Sequence, residues 1–120
     1  MIVAGFGFRA AATGDSLRSA LINAGGRADV IAAPQDKCAD PAFLSFAEAQ
    51  SLRIIPVSQA DLVEADTLTS SARVKALRGT GSVAEAAALA AAGPGARLRG
   101  PRAVSDDRMA TCAIALGANE

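Results

Sequence analysis

The sequence predicts an α/β fold, a three-layer α/β/α arrangement around a mixed, mostly parallel sheet of about five strands. Three observations carry that expectation. Short apolar runs closed by Gly or Pro alternate with helix-period segments through the first half of the chain. Such alternation argues for parallel strands joined by crossover helices, with helices on both faces of the sheet. Two strands then follow one another near the end, at 97–100 and 109–116, so a hairpin there makes the sheet mixed. A chain of 120 residues reads as one domain, 1–120. It is 51% hydrophobic with 3% aromatic residues and no Trp or Tyr, so its core must be aliphatic and alanine-rich.

The elements follow in order. Residues 2–6 form an apolar run ending in glycines, read as a buried first strand. Thr13 and Asp15 offer capping side chains to a helix over 16–24, with Leu17, Ala20, Leu21 and Ala24 on one face. Gly25-Gly26 stops that helix. The second strand spans 29–33 and is closed by Pro34. Asp40 fits an N-cap and Pro41 the first helical position, where a missing N–H costs nothing. Phe43, Leu44, Ala47 and Leu52 should cover the buried side of that helix. Residues 54–58 form the third strand, and Pro56 places it at an edge or a strand end. A short helix then begins at Gln59, and a polar loop covers 64–71. Ser70 or Ser71 caps a second short helix through Val74 and Leu77. Residues 82–92 form an alanine-rich helix with Val83, Ala86, Ala87, Leu89 and Ala90 inward, stopped by Gly93-Pro94-Gly95. The turn between the final strands carries Ser105-Asp106-Asp107.

Composition excludes several function classes. Formal net charge is zero, yet the charge is unevenly placed. Five basic and eight acidic residues precede position 73; seven basic and four acidic residues follow from there. The basic set is Arg73, Lys75, Arg78, Arg97, Arg99, Arg102 and Arg108, read as a local positive potential for an anionic ligand or as a solvated face. Nucleic acid is not an expected partner, because high pI and stacking aromatics are missing. Without histidine, a metal site or a His-dependent nucleophile is not expected, and no cofactor is. Cys38 and Cys112 do not make a disulfide framework and suit a reducing, cytoplasmic setting. No apolar run is long enough to span a membrane.

Two glycine-rich stretches carry the expected chemistry. Gly79-Thr80-Gly81-Ser82 precedes the alanine helix, where unpaired N–H groups and the helix dipole favour an anion. The same residues also read as an ordinary start with Ser82 as N-cap and Glu85 completing a capping box. Gly5 and Gly7 belong to a glycine-rich turn after the first strand, either a tight strand-to-helix turn or a ligand contact, that leads to Arg9 at the mouth where open α/β sheets bind ligands. A dinucleotide fingerprint is discounted, because its third glycine is absent at the expected spacing. Asp36 and Lys37 follow the second strand at the same end, either as ligand contacts or as a surface ion pair. Arg102 adds a further cation, and Thr13 serves as a cap and a second-rank contact. The candidate ligand-binding residues are therefore Gly5, Gly7, Arg9, Thr13, Asp36, Lys37, Gly79, Thr80, Gly81, Ser82 and Arg102. No catalytic residue is assigned.

These residues resemble a known family. Gly79 to Leu89 is close to the Gly-x-Gly-Ser-Val-Ala-Glu-Ala-Ala-Ala signature of the CobE and CbiG C-terminal domain family of cobalamin (vitamin B12) biosynthesis. Gly5-Phe6-Gly7-Phe8-Arg9, Asp36-Lys37 with Asp40-Pro41, and the late strand from Met109 to Ala115 add to the resemblance, which covers nearly the whole chain. Its length is most like the stand-alone CobE form. Phe8 stands where the family commonly has cysteine, and Pro101-Arg102 replaces Pro-Lys. Arg and Lys keep the charge but are not equivalent donors.

The resemblance implies a place in the corrin pathway and a ligand edged with acetate and propionate groups, a precorrin or corrin intermediate. Relatives of the CbiG type open a lactone on a cobalt-containing precorrin. Three functions therefore stand open: a carrier or accessory protein of the aerobic branch, a hydrolase opening a lactone on the ring, and a nucleotide-binding regulatory module. In the hydrolase reading, Asp36 or Glu85 would activate water. The absence of histidine and of a tight acid–base pair favours binding. Other enzymes of the cobalamin pathway are the further partners the resemblance admits, with no membrane partner. Whether the ligand carries cobalt stays open, and no direct metal bond from this chain is expected.

Overall fold

The computed structural model describes the backbone of residues 1–120 and every side chain except those of Arg73 and Leu77. The expectations for the charge of Arg73 and the helix position of Leu77 thus lie outside the described side chains. The elements run β1 (Ile2–Phe8), α1 (Gly14–Ala24), β2 (Val30–Pro34), a 3-10 turn (Gln35–Lys37), α2 (Pro41–Gln50), β3 (Arg53–Val57), α3 (Gln59–Glu64), α4 (Ala72–Arg78), α5 (Val83–Ala92), β4 (Arg97–Leu98), β5 (Ala103–Val104) and β6 (Ala110–Leu116). The sheet has the order β3-β2-β1-β6-β4, and β5 also pairs with β6. Strands β1, β2 and β3 pair in parallel, whereas β6 is antiparallel to β1, β4 and β5. Five strands therefore point one way and β6 opposes them, giving the expected mixed sheet.

The alternating faces of the strands build the two helical layers. Ala4, Phe6, Ile31, Ala33, Cys112 and Ile114 face α1 and α2, where they meet Leu17, Leu21, Phe43, Phe46 and Ala47. Phe6 packs edge-on against both Phe43 and Phe46, with ring centroids 5.8 and 5.4 Å away. On the opposite face Val3, Val30, Ala32 and Val57 meet Leu62 of α3 and Ala86 and Ala87 of α5. Pro56 is tolerated because β3 is an edge strand.

Helix ends follow their capping residues. Thr13 and Ser16 form a reciprocal capping box on α1, and the Asp40 side chain accepts from the Ala42 and Phe43 N–H groups of α2. Ser58, Ser71 and Ser82 cap α3, α4 and α5. Among the described residues no helix is long and apolar enough to cross a membrane.

Three expectations need correction. The first strand continues through Phe8, so Gly5 and Gly7 lie inside it and not in a turn. Leu44 is 48% exposed, because the buried side of α2 is set by Phe43, Phe46 and Ala47 at i, i+3 and i+4. The fourth strand ends at Leu98 and pairing resumes at Ala103, so the hairpin is broken across Arg99 to Arg102. Pro101 lies in that break and lacks the N–H a ladder needs.

Candidate functional site

The parallel strands β1 and β2 deliver Phe8 and Pro34 to one end of the sheet, and β6 begins there at Ala110, opposite Phe8. Arg9 follows β1, and the 3-10 turn carrying Asp36 and Lys37 follows β2. This is the end at which open α/β sheets bind ligands. An open cavity of about 650 Å³ lies there, within the range of small-molecule sites. Gly7, Phe8, Val83, Met109, Ala110 and Thr111 contribute to its floor and walls. At Gly7 the wall is close: a Cβ would stand 3.0 Å from the Thr111 hydroxyl oxygen and 3.4 Å from Val83, so those side chains would have to shift slightly to admit one.

Among the described residues, Arg9, Lys37, Arg78, Arg102 and Arg108 all line this cavity, and no aspartate or glutamate does. Five cations from five separate segments thus face one space. Lys37 is held with its Nζ 5.2 Å from the centre of the Phe8 ring, a cation–π contact that leaves the ammonium at the mouth. Arg78 donates two hydrogen bonds to Asp36, at 2.7 and 2.9 Å. That guanidinium holds the Asp36 carboxyl below its ordinary range, and Lys37 adds a smaller pull in the same direction. Arg108 has φ of +62°, an uncommon conformation for a residue with a side chain. Asp107 just before it organises the turn: its carboxylate accepts from the Ser16 hydroxyl at 2.5 Å, the Ser105 hydroxyl at 2.6 Å and the Met109 N–H at 3.0 Å. Hydrogen bonds from Ser105, then Ser16, lower the Asp107 carboxyl pKa.

Four candidates therefore converge: Gly7, Arg9, Lys37 and Arg102 line the cavity, and Asp36 joins them through Arg78. Gly5 lies apart. It is covered by α5, where an added Cβ would stand 2.2 Å from the Ala84 carbonyl oxygen and 2.5 Å from the Ala88 nitrogen. Thr13 acts as the cap of α1. Gly79, Thr80, Gly81 and Ser82 lie outside the lining. Gly79 terminates α4 with φ of +76°, and Gly81 lets residues 67–70 pass closely, a Cβ there lying 2.6 Å from the Thr69 carbonyl oxygen. Thr80 is 4% exposed with its hydroxyl unpaired. Arg78 and Arg108 complete the cationic set. The basic excess after position 72 pointed towards them, but only folding shows which of those cations share a space.

Glu85 does not complete the capping box with its side chain. The Ser82 hydroxyl accepts from the Glu85 N–H as expected. The carboxylate, fully buried, instead accepts from the Leu68 and Thr69 N–H groups at 2.6 and 2.7 Å and from the Arg102 N–H at 2.8 Å. The Thr69 hydroxyl donates to it as well. Burial is the largest single influence and would raise this pKa, but the combined hydrogen bonds from Thr69, Arg102 and Leu68 outweigh it and leave the pKa lowered. Glu85 thus ties the loop before α4 to the segment that presents Arg102. A second cavity, of about 570 Å³, has Glu64, Asp66 and Arg97 in its lining and lacks the cationic character of the first.

Fold and site together define a small α/β domain with a cationic cavity at the carboxyl ends of its parallel strands. The chain belongs to the family described as cobalamin synthesis G C-terminus, which matches residues 2–115, and it is a cobalamin-biosynthesis protein of the CobE and CbiG type. It is similar to the crystal structure of CobE, a protein from the cobalamin (vitamin B12) biosynthetic pathway. Identity there is 30%, with a TM-score of 0.85, over 96% of this chain and 89% of that one. It is likewise similar to the cobalamin biosynthesis protein chiG from Agrobacterium tumefaciens str. C58. Here identity is 32% and the TM-score 0.74, over 98% of this chain and 99% of that one. No curated protein sequence matches the chain.

Proposed function

We propose that this domain binds a carboxylate-rich precorrin or corrin intermediate in the cationic cavity, as a carrier or accessory protein of cobalamin biosynthesis. The observation that carries this reading is that, among the described residues, five cationic side chains converge on a cavity with no acidic residue in its lining. A tetrapyrrole of this kind combines an apolar ring face with a fringe of carboxylates. Phe8, Val83 and Met109 offer the apolar contact, and Arg9, Lys37, Arg102 and Arg108 offer donors to the fringe. A carboxylate met by arginine and shielded from water gains about 1.5–3 kcal/mol. A few such contacts suffice for micromolar binding, about −8 kcal/mol.

Binding is favoured over lactone hydrolysis by the state of the two candidate carboxylates. Asp36 is engaged by Arg78, and Glu85 is buried and occupied by four donors. Glu85 therefore does not stand free to accept a proton from water, and Asp36 lies outside the cavity lining whether or not Arg78 holds it. A carrier passes its ligand on, so other enzymes of the pathway are the partners it would meet.

Titration with hydrogenobyrinic acid tests the reading. The visible spectrum of the chromophore should shift and saturate, and mass spectrometry should recover the ligand unchanged. Arg9→Ala should weaken binding about tenfold, a loss of about 1.4 kcal/mol. Absence of any spectral shift would sink the proposal, and catalytic change in mass would move the assignment to an enzyme.

A further inference from the structure

Resting on that reading, we propose that Asp36 is an internal stand-in for a ligand carboxylate: it holds Arg78 in the free protein and yields that cation when the ligand binds. Three observations converge on this pair. Among the described residues, Arg78 alone of the five cavity cations has a carboxylate within ion-pair distance, and the geometry is two-pronged. The pairing matches how a guanidinium grips a carboxylate at a binding site. The two partners also differ in freedom. The Arg78 side chain is 22% exposed and lines the cavity, whereas the Asp36 side chain is 65% exposed and does not. The aspartate, the more exposed of the two, is the member able to turn into water and leave once a ligand carboxylate takes its place on Arg78.

The third observation concerns what the pair spans. Arg78 ends α4, which among the described residues packs chiefly on α3. Asp36 sits on the turn after β2. The ion pair therefore reaches from the end of α4 to the turn that follows β2 at the end of the sheet. The Gln59 side chain donates to the Arg78 carbonyl oxygen and steadies the same helix end from α3. Asp36 thus settles α4 beside the cavity before ligand arrives and competes with ligand for the fifth cation. Removing the competitor should tighten binding, whereas a simple structural brace would loosen it.

The test is a thermodynamic cycle read by fluorescence of uroporphyrin, a macrocyclic octacarboxylate, in moderate salt. Asp36→Asn keeps the size of the side chain and removes the competing charge. It should bind uroporphyrin about three- to tenfold tighter than the parent protein. In an Arg78→Ala background the same substitution should change affinity less than twofold, because no cation remains to be released. Unchanged or weaker binding by Asp36→Asn overturns the proposal. A gain that persists without Arg78 also overturns it, since that gain would be general removal of negative charge. Both leave the proposed function intact provided the parent protein binds. Failure of the parent protein to bind both uroporphyrin and hydrogenobyrinic acid sinks the proposed function itself, and this inference with it.

Discussion

Replacing Glu85 by glutamine tests the central tie of the structure at almost constant volume. Glutamate offers two acceptor oxygens, and all four of its partners are donors. Glutamine offers one acceptor and one NH2 group. With its oxygen kept towards Leu68 and Thr69, its NH2 group meets the Arg102 N–H, and that backbone donor loses its partner. The Thr69 hydroxyl can turn and accept, so it is not lost. The opposite orientation strands two backbone N–H groups and is worse. An orphaned buried donor costs about 1–3 kcal/mol, and the two remaining bonds lose their charge assistance, roughly halving their strength. The lifted desolvation of the carboxylate offsets part of this, leaving a net loss of about 2–3 kcal/mol. For a domain of this size that is a fall in Tm of about 10 °C, measurable by circular dichroism at neutral pH. The pH dependence has a defined sign. A carboxyl whose pKa is lowered by folding stabilises the protein above its unfolded value, about 4.3, and that contribution is lost as pH falls through the folded value. The Tm gap between parent and Glu85→Gln should therefore be full at neutral pH and shrink on acidification below about pH 4. A variant melting within about 2 °C of the parent at pH 7 would refute the account of Glu85 as a buried acceptor hub.

Other outcomes are equally specific. Gly5→Ala places a methyl group 2.2 Å from the Ala84 carbonyl oxygen, so α5 must lift by roughly 1 Å; the expected cost is about 3 kcal/mol, the upper end for overpacking, read as a large fall in Tm. A near-normal Tm would show that α5 is not seated as closely as described. Thr80→Val removes a buried hydroxyl without a partner and should raise stability by up to about 1 kcal/mol, and a measured loss would reveal a hydrogen bond at that oxygen. Burial pushes the Cys112 thiol far above its ordinary range, whereas Cys38 is partly exposed with a milder upward shift from burial and then from Asp36. A thiol reagent should therefore modify Cys38 in the native protein and Cys112 only on unfolding. Two equally fast thiols by peptide mass mapping would contradict that burial.

Much of the fold was legible from local rules. Gly25 and Gly93 and the caps at Thr13, Asp40 and Ser82 all act through nearest neighbours in the chain, and Pro56 signals an edge or a strand end because it has no N–H for a ladder. What misled was long-range. Gly5 and Gly7 look like a turn in sequence, yet they are strand residues whose missing side chains admit α5 and Thr111. Glu85 satisfies the spacing of a capping box, but three backbone donors brought in from positions 68, 69 and 102 claim its carboxylate. For the cavity, Arg9 and Lys37 were legible because they follow parallel strands, whose ends share one pole. Arg78 lies at the end of a helix and Arg108 in a left-handed turn, so their direction depends on how those segments dock.

The antiparallel course of β6 beside β1 has one more consequence. Ile2 pairs with Leu116 at the pole far from Phe8 and Ala110, and the amino group of Met1 reaches the side chain of Glu120. A short peptide could join these two points, and new ends could be opened at the exposed Gly25-Gly26 bend, without touching the binding mouth. Affinity handles or reporter domains appended at positions 1 or 120 would hang from the pole opposite the cationic cavity and leave its mouth open.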